Sequence, residues 1–390
     1  MRYADDLLLD DADALAVADP GNLLRATADA GAQVRRALAA TDTEVLHAVA
    51  VDGRPRSVIV AGSGVAGIAG DILAAVCGTG CPVAVTTLRG STLPGWVGPL
   101  DLVIAVSASG TTEETLTVVG EAQKRGSHLV GIGPAGSPLR DLVASAAGSV
   151  HVVADAGSLL PRAALWLVTV PMLLVADALR LVSVPRSTLD EMADLLDQRS
   201  VQCGPASPLA DNAAKLLGVS LATSLPVVWG SSPLGAVAAY RLATQLGANA
   251  KIPALHGSIT EATHHQVSVV DGVFATGPDD DDIFRDPIED GAAPPRLRLV
   301  LLRDPGEHPV DAQHADEVRT IAERRDVPVD VVHAVEGHAV LRLASVIGLL
   351  DWASVYAAVA VGVDPSAVRA DIAELTDIAE LTDGVGRGGV

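Results

Sequence analysis

Short runs of apolar, often β-branched residues alternate with longer stretches of helical spacing along most of the chain. The first run, SVIVA from Ser57, ends in glycines and leads into VAGIAGDILAAVCG, which predicts a helix. PVAVTT and DLVIAVSASG then read as strands, TTEETLTVVGEAQKRG as a helix, SHLVGIG as a strand, SPLRDLVASAAG as a helix and SVHVVA as a strand. These strands are nearly all apolar, as strands of a parallel sheet covered by helices on both faces must be. Their spacing suits right-handed β-α-β crossovers. Two helices, Ala163–Leu181 and Ser187–Gln198, bridge to a second unit of the same kind. It has a strand at PVVWG after Leu225, a helix from Gly235 to Leu246, strands at Arg296–Arg303 and Pro328–Val335, and a helix at Ala312–Arg325 between them.

The ends follow other patterns. Asn22 to Ala50 has helical spacing and no strand-like run. Toward the other end comes one long apolar helix, Ala339–Val361, then a stretch N-capped by Asp364 ahead of Pro365, in which IAELTD occurs twice in succession. The expected organisation is an N-terminal helical segment over 1–50, α/β domains over 51–186 and 187–338, C-terminal helices over 339–383 and a disordered tail over 384–390. Gly277–Asp290 is acidic and aperiodic, which predicts a solvated surface loop.

Composition narrows the classes of function. Hydrophobic residues make up 49% of the chain and charged residues 19%, which excludes a disordered protein. With four Trp, three Tyr and two Phe, the core has to be built from Ala, Val and Leu. The net charge of −21 offers no basic surface for displacing counterions from nucleic acid, and few aromatic platforms for single strands. The six aspartates of Met1–Asp19 are the reverse of a signal peptide's basic start, and Ala163–Leu181 contains Pro171 and Asp177, so a buried helix is expected there rather than a membrane span. A cytoplasmic protein with no membrane or nucleic-acid partner is the expectation. Cys77, Cys81 and Cys203 form no disulfide framework and read as small buried hydrophobes.

So acidic a chain binds an anion only in a locally prepared place, through backbone N–H groups and hydroxyls. Two loops that leave strands suit that task. AGSGVAGIAG places Gly62, Gly64 and Gly67 as G-x-G-x-x-G, but the acidic residue that a dinucleotide ribose requires is missing from the end of the next strand, PVAVTTLRG. SASGTTEET gathers the hydroxyls of Ser107, Ser109, Thr111 and Thr112 around Gly110, immediately before a helix whose first N–H groups are free. A capping box from Thr111 to Glu114, or Thr112 as N-cap, is the purely structural alternative, and the two roles are compatible. His256, His264 and His265 lack the spacing of a zinc site, so no metal is expected.

S-x-S-G-x-T-x-E after a hydrophobic strand resembles the phosphate loop of sugar isomerase (SIS) domains, here Ser107, Ser109, Gly110, Thr112 and Glu114, with Thr115 following. From about residue 55 to 376 the chain is similar to the bifunctional phosphoglucose/phosphomannose isomerase family. The likeness continues through Pro161-Arg162-Ala163-Ala164-Leu165, Thr244-Gln245-Leu246 with Asn249-Ala250-Lys251, and Glu261 with His264. It ends in Asp351, Ser354, Val355 and Tyr356, followed by Gly362-Val363-Asp364-Pro365.

The resemblance implies an α/β fold of two tandem SIS-type domains, each a parallel sheet with helices on both faces, plus C-terminal helices. It implies a homodimer and a cofactor-free aldose–ketose isomerase acting on glucose, mannose and fructose 6-phosphates. Ser107, Ser109, Gly110, Thr112 and Gly64 would hold the phosphate, and Arg162 would lie in the active site.

Three departures bear on activity. The family's glutamate base, in Q-L-N-E-N-A-K, is Ala248 here, with His264 still 16 residues later. The family's C-terminal lysine is absent, Leu375 being followed by Thr376, and Gly64-Val65-Ala66 replaces G-G-S. Glu261 is the candidate replacement base, or else a structural acid for Lys251 or Arg241, and His264 the candidate acid–base for ring opening. The rival reading is a non-catalytic phosphosugar-binding regulatory protein.

Overall fold

A computed structural model describes residues 4, 6–51, 53–275 and 295–367. The acidic segment Gly277–Asp290, both copies of IAELTD, Thr376 and the tail over 384–390 lie outside the described residues. The N-terminal segment forms four short helices: α1 (Ala12–Ala18), α2 (Leu23–Ala28), α3 (Ala30–Ala40) and α4 (Thr43–Ala50). Aspartates subdivide what the spacing predicts as continuous helix. Asp11 accepts from the amides of Asp13 and Ala14, and Asp42 from that of Glu44. Asp19, 4% exposed, accepts from Leu23 N at 2.8 Å and Leu24 N at 2.7 Å.

The first sheet carries β1 (Ser57–Ala61), α5 (Val65–Cys77), β2 (Ala84–Leu88), β3 (Leu102–Val106), α6 (Glu113–Lys124), β4 (His128–Gly133), α7 (Pro138–Ala144) and β5 (Val150–Val153). Its strands are all parallel, in the order β2-β1-β3-β4-β5. Three helices follow: α8 (Leu165–Ala178), α9 (Arg186–Cys203) and α10 (Ala213–Ala222). The second sheet carries β6 (Ser224–Gly230), α11 (Pro233–Gln245), β7 (Leu255–Ser258), α12 (Ile259–His265), β8 (Arg296–Arg303), α13 (Pro309–Glu323) and β9 (Val329–His333). It is parallel in the order β7-β6-β8-β9, and α14 (Ala339–Ala360) follows it.

Alternation within each strand sorts side chains between cores. Val58 and Val60 of β1 enter a central core, while Ile59 and Ala61 pack with Val118, Val119, Leu139 and Val143 beneath α6 and α7. Val228, Val300 and Leu302 of the second sheet join that same central core, and Val227, Trp229, Leu299 and Leu301 form an outer one with α12 and α13. The inner faces of both sheets therefore share one hydrophobic core, filled by α5, α8, α11 and α14.

α14 is long and apolar enough to cross a membrane, but 94% of its apolar stretch is buried within the protein. α8 is likewise buried along almost its whole length. Both long apolar helices belong to the core of the single chain. The short edge strand β7, Leu-His-Gly-Ser, escapes the sequence pattern because it has no apolar run.

Asp101 fixes the lower end of the first sheet. Its buried carboxylate accepts from Arg56 Nε at 2.9 Å, Ser57 Oγ at 2.7 Å and Gly98 N at 2.9 Å, tying the start of β1 to that of β3. The Arg56 guanidinium above all, helped by these donors, brings its carboxyl down to about 2. A depressed native value means stability that is present above the unfolded pKa of ~3.9 and lost as pH falls from there through about 2. Asp101→Ala strands buried donors and is expected to lower the unfolding free energy by about 2–4 kcal/mol near neutral pH, measured in urea. The gap between variant and parent should close across that acid window; a gap that persists below it would remove the carboxylate from the account.

Candidate active site

In a parallel sheet of this order the ligand crevice opens where strand order reverses, beyond the carboxyl ends of β1 and β3. The β1–β3 register ends at Ala61 opposite Ala105. The loop after β1 carries Gly62, Ser63 and Gly64, and the loop after β3 carries Ser107 to Thr112. Gly64 has φ +58° and open space where a Cβ would stand, so this wall of the crevice is bare backbone. Gly110 has φ +72°, and a Cβ there would lie 2.3 Å from that of Ser137. Only glycine fits.

The structure brings the hydroxyls together as the motif predicts. Ser107, 2% exposed, accepts from Gly110 N at 2.9 Å and shares a hydrogen bond with Thr112 Oγ1 at 2.8 Å. Ser109 Oγ lies 3.4 Å from Ser107 Oγ and accepts from Thr111 Oγ1 at 3.0 Å. Thr112 is the N-cap of α6 by position, yet its side chain caps nothing. The capping box is not formed, and the first-turn amides of α6 keep their positive end toward the loop. Thr115, the next motif residue, is 2% exposed, and its buried hydroxyl has no hydrogen-bond partner among the described residues.

A second cluster assembles the separated motifs around Arg162. This residue sits on a 3-10 turn, Pro161–Ala163, that packs against α5. Its Nε donates to Asn249 Oδ1 at 2.9 Å and its Nη2 to Pro365 O at 2.7 Å. Asn249 is fully buried on a π-helical turn, Leu246–Ala250, that extends α11, and its amide donates to Ser354 Oγ at 3.0 Å. Ser354 in turn donates to Asp351 O at 2.7 Å.

Arg241, 2% exposed, donates to both oxygens of Asp351 at 2.9 Å and to the carbonyl of Arg162 at 2.9 Å. The sequence suggests Arg241 only as a partner for Glu261; a lone arginine among the apolar positions of α11 is the signal that could have found its role. Lys251, in the left-handed region at φ +60°, donates to the carbonyls of Ala248 and Ala367. Burial, then the neighbouring Arg162 cation, holds its ammonium below the usual lysine value against the pull of Asp364. Burial likewise lowers Arg162.

Glu261 and His264 stand apart from both clusters. Glu261 is 66% exposed on α12 and pairs with His265 at 3.1 Å. His264 is also exposed, its ring 6.5 Å from that of His265. Neither Arg241 nor Lys251 is the ion-pair partner of Glu261. The His256 ring lies tilted at 50° to that of Tyr240, their centroids 4.9 Å apart, and burial lowers its pKa. Among the described residues no group of three or more His, Cys, Asp or Glu is placed to hold a metal ion. Ser63 escapes the sequence pattern because its loop stands out for its glycines; it is half-buried and lies two residues beyond Ala61, as Ser107 lies two beyond Ala105.

Two parallel sheets, a hydroxyl loop at a switch point and a helix mouth define an α/β protein of the SIS type. Solved structures agree on the fold. Tagatose-6-phosphate ketose/aldose isomerase from Escherichia coli superposes with a TM-score of 0.65 at 15% identity, covering 89% of this chain and 94% of that one. The hypothetical protein TT0462 from Thermus thermophilus gives 0.65 at 14% identity, covering 92% and 91%.

The chain is a homologue of the bifunctional phosphoglucose/phosphomannose isomerases. That of Caldicellulosiruptor bescii is 26% identical over 331 residues, 84% of this chain and 90% of the relative. That of Thermoplasma acidophilum is 30% identical over 209 residues, 54% and 60% respectively. Residues 210–376 match the family described as Bacterial phospho-glucose isomerase C-terminal SIS domain.

Asp351→Asn tests the second cluster. It leaves the buried Arg241 guanidinium without its charge partner and should cost about 3–5 kcal/mol in urea unfolding. Fluorescence of Trp352, the next residue on α14, should report the accompanying shift. A loss of less than about 1 kcal/mol would mean that Arg241 does not depend on this pair.

Proposed function

We propose that this protein is a cytoplasmic aldose–ketose isomerase that interconverts glucose or mannose 6-phosphate with fructose 6-phosphate, working as a homodimer. The observation that carries the reading is the loop of Ser107, Ser109, Gly110 and Thr112, lying uncapped at the mouth of α6 opposite Gly64. The phosphate ester takes the α6 amides and these hydroxyls. In the reaction a proton leaves C2, returns at C1, and a hydroxyl proton passes between O2 and O1. Electrons are only redistributed within the sugar, so the scheme needs no cofactor.

Arg162 stabilises the enediolate charge. Proton transfer falls to Glu261, with His264 serving ring opening. Glu261 is exposed in the single chain, and a second copy in the homodimer is the cover we propose for α12. Ala248 at the position of the family's base favours one other reading, a phosphosugar-binding regulatory protein without turnover.

A coupled assay with each hexose 6-phosphate separates the two. Turnover supports the isomerase; no turnover, with a thermal shift on adding fructose 6-phosphate, selects the binder. Ser107→Ala should weaken fructose 6-phosphate binding by about tenfold. Ala248→Glu, which restores a carboxylate where the family has one, should raise kcat by about 10²-fold or more if proton transfer limits the rate. Unaltered sugar-phosphate affinity in Ser107→Ala would refute the phosphate loop.

A further inference from the structure

The second sheet repeats the layout of the first, β7-β6-β8-β9 against β2-β1-β3-β4, so it has its own switch point between β6 and β8. Two residues beyond the last β1–β3 pair, Ala61 and Ala105, stand Ser63 and Ser107. Two residues beyond the last β6–β8 pair, Gly230 and Leu302, stand Ser232 and Asp304. At the place where the first unit presents a hydroxyl, the second presents a carboxylate.

That carboxylate is held as a bound anion would be. Asp304 is 4% exposed. Its Oδ2 accepts from Ser232 Oγ at 2.6 Å, and Oδ1 accepts from Gly306 N at 3.1 Å and from Arg342 Nη1 at 2.7 Å. Ser232 is the N-cap of α11 and accepts from Gly235 N at 3.1 Å, so the carboxylate lies at that helix mouth. Arg342 arrives from α14; a Cβ on Gly306 would collide with its guanidinium, and its Nε is buried without a hydrogen-bond partner among the described residues. The cavity left beside Gly235, Asp304 and Arg342 is about 10 Å³, no more than one water, so nothing the size of phosphate enters.

We propose that Asp304 fills the anion cradle of the second unit with its own side chain, and that this cradle, once emptied, takes inorganic phosphate or a similar small oxyanion. Each chain then has a single sugar-phosphate site, in the first unit, a count that rests on the function proposed above. The Ser232 hydroxyl, the Gly306 amide, the α11 mouth and Arg342 form the latent site; the carboxylate closes it.

The test uses the full chain in the Ser107→Ala background, which weakens the first site, with inorganic phosphate as the probe at matched ionic strength and S107A itself as the baseline. Asp304→Ser, reproducing the residue found in the first unit, leaves Arg342 without an anion. Phosphate at ~100 times its Kd should raise the melting temperature of S107A/D304S by about 3 °C more than it raises that of S107A alone, and add one bound phosphate per chain. Replacing the cation as well, in S107A/D304S/R342M, should return the response to that of S107A alone. Asp304 is a structural acid only, and the proposal fails, if S107A/D304S shows no greater phosphate response than S107A, whether because it is stable without anion or because it stays unfolded with it. Failure of the first-unit reading shows separately, as unchanged fructose 6-phosphate affinity in S107A alone.

Discussion

A guanidinium that is 2% exposed among alanine, valine and leucine has to be neutralised where it lies, and Arg241 sets the geometry around it. Its bidentate pair with Asp351 fixes α11 against α14. The same guanidinium holds the carbonyl of Arg162, so the 3-10 turn after the first sheet is oriented by a residue of the second. Ser354, one turn beyond Asp351, then orders Asn249, which receives the Arg162 side chain. The site is rigid because its polar groups are satisfied by one another in a region with little water to satisfy them.

The shared core explains how such a network forms in a chain with so few aromatic residues. Neither sheet is closed on its inner side by helices of its own unit alone; α5, α8, α11 and α14 serve both. α5 packs against α11, and Arg89, just past the end of β2, lies 5.2 Å above the Tyr240 ring of α11. A crevice at the end of β1 is thereby held in register with residues of the second unit, which two independently packed domains would not achieve.

Strands were legible because most are buried on both faces and read as apolar runs; β7, at an edge and half polar, was not. The hydroxyl loop was legible because its chemistry is contiguous in sequence. The Arg162 cluster was not derivable from pattern: its members lie up to 203 residues apart and meet only through the fold. Resemblance named Arg162, Asn249, Asp351 and Ser354, but nothing local marked Arg241 as the residue that joins them. Asp304 was equally silent, since its meaning lies in corresponding to Ser107 across two sheets. Glu261 and His264 were named by the resemblance, with no local pattern behind them, and the fold places both on the exposed side of α12 in the single chain.

The alanine at 248 takes nothing from the contacts that hold this part of the fold. The hydrogen bonds of that turn use the backbone carbonyl of Ala248, the side chain of Asn249 and the ammonium of Lys251; none needs a side chain at position 248. Arg162 keeps its orientation through Asn249, Pro365 and Arg241. In the function proposed above, an anionic ester binds at a different loop, the one at the mouth of α6. On that proposal recognition and proton transfer rest on separate parts of the fold, and the residue at 248 bears on the second alone. A chain of this architecture retains its cradle and its cation whether or not a carboxylate completes the reaction.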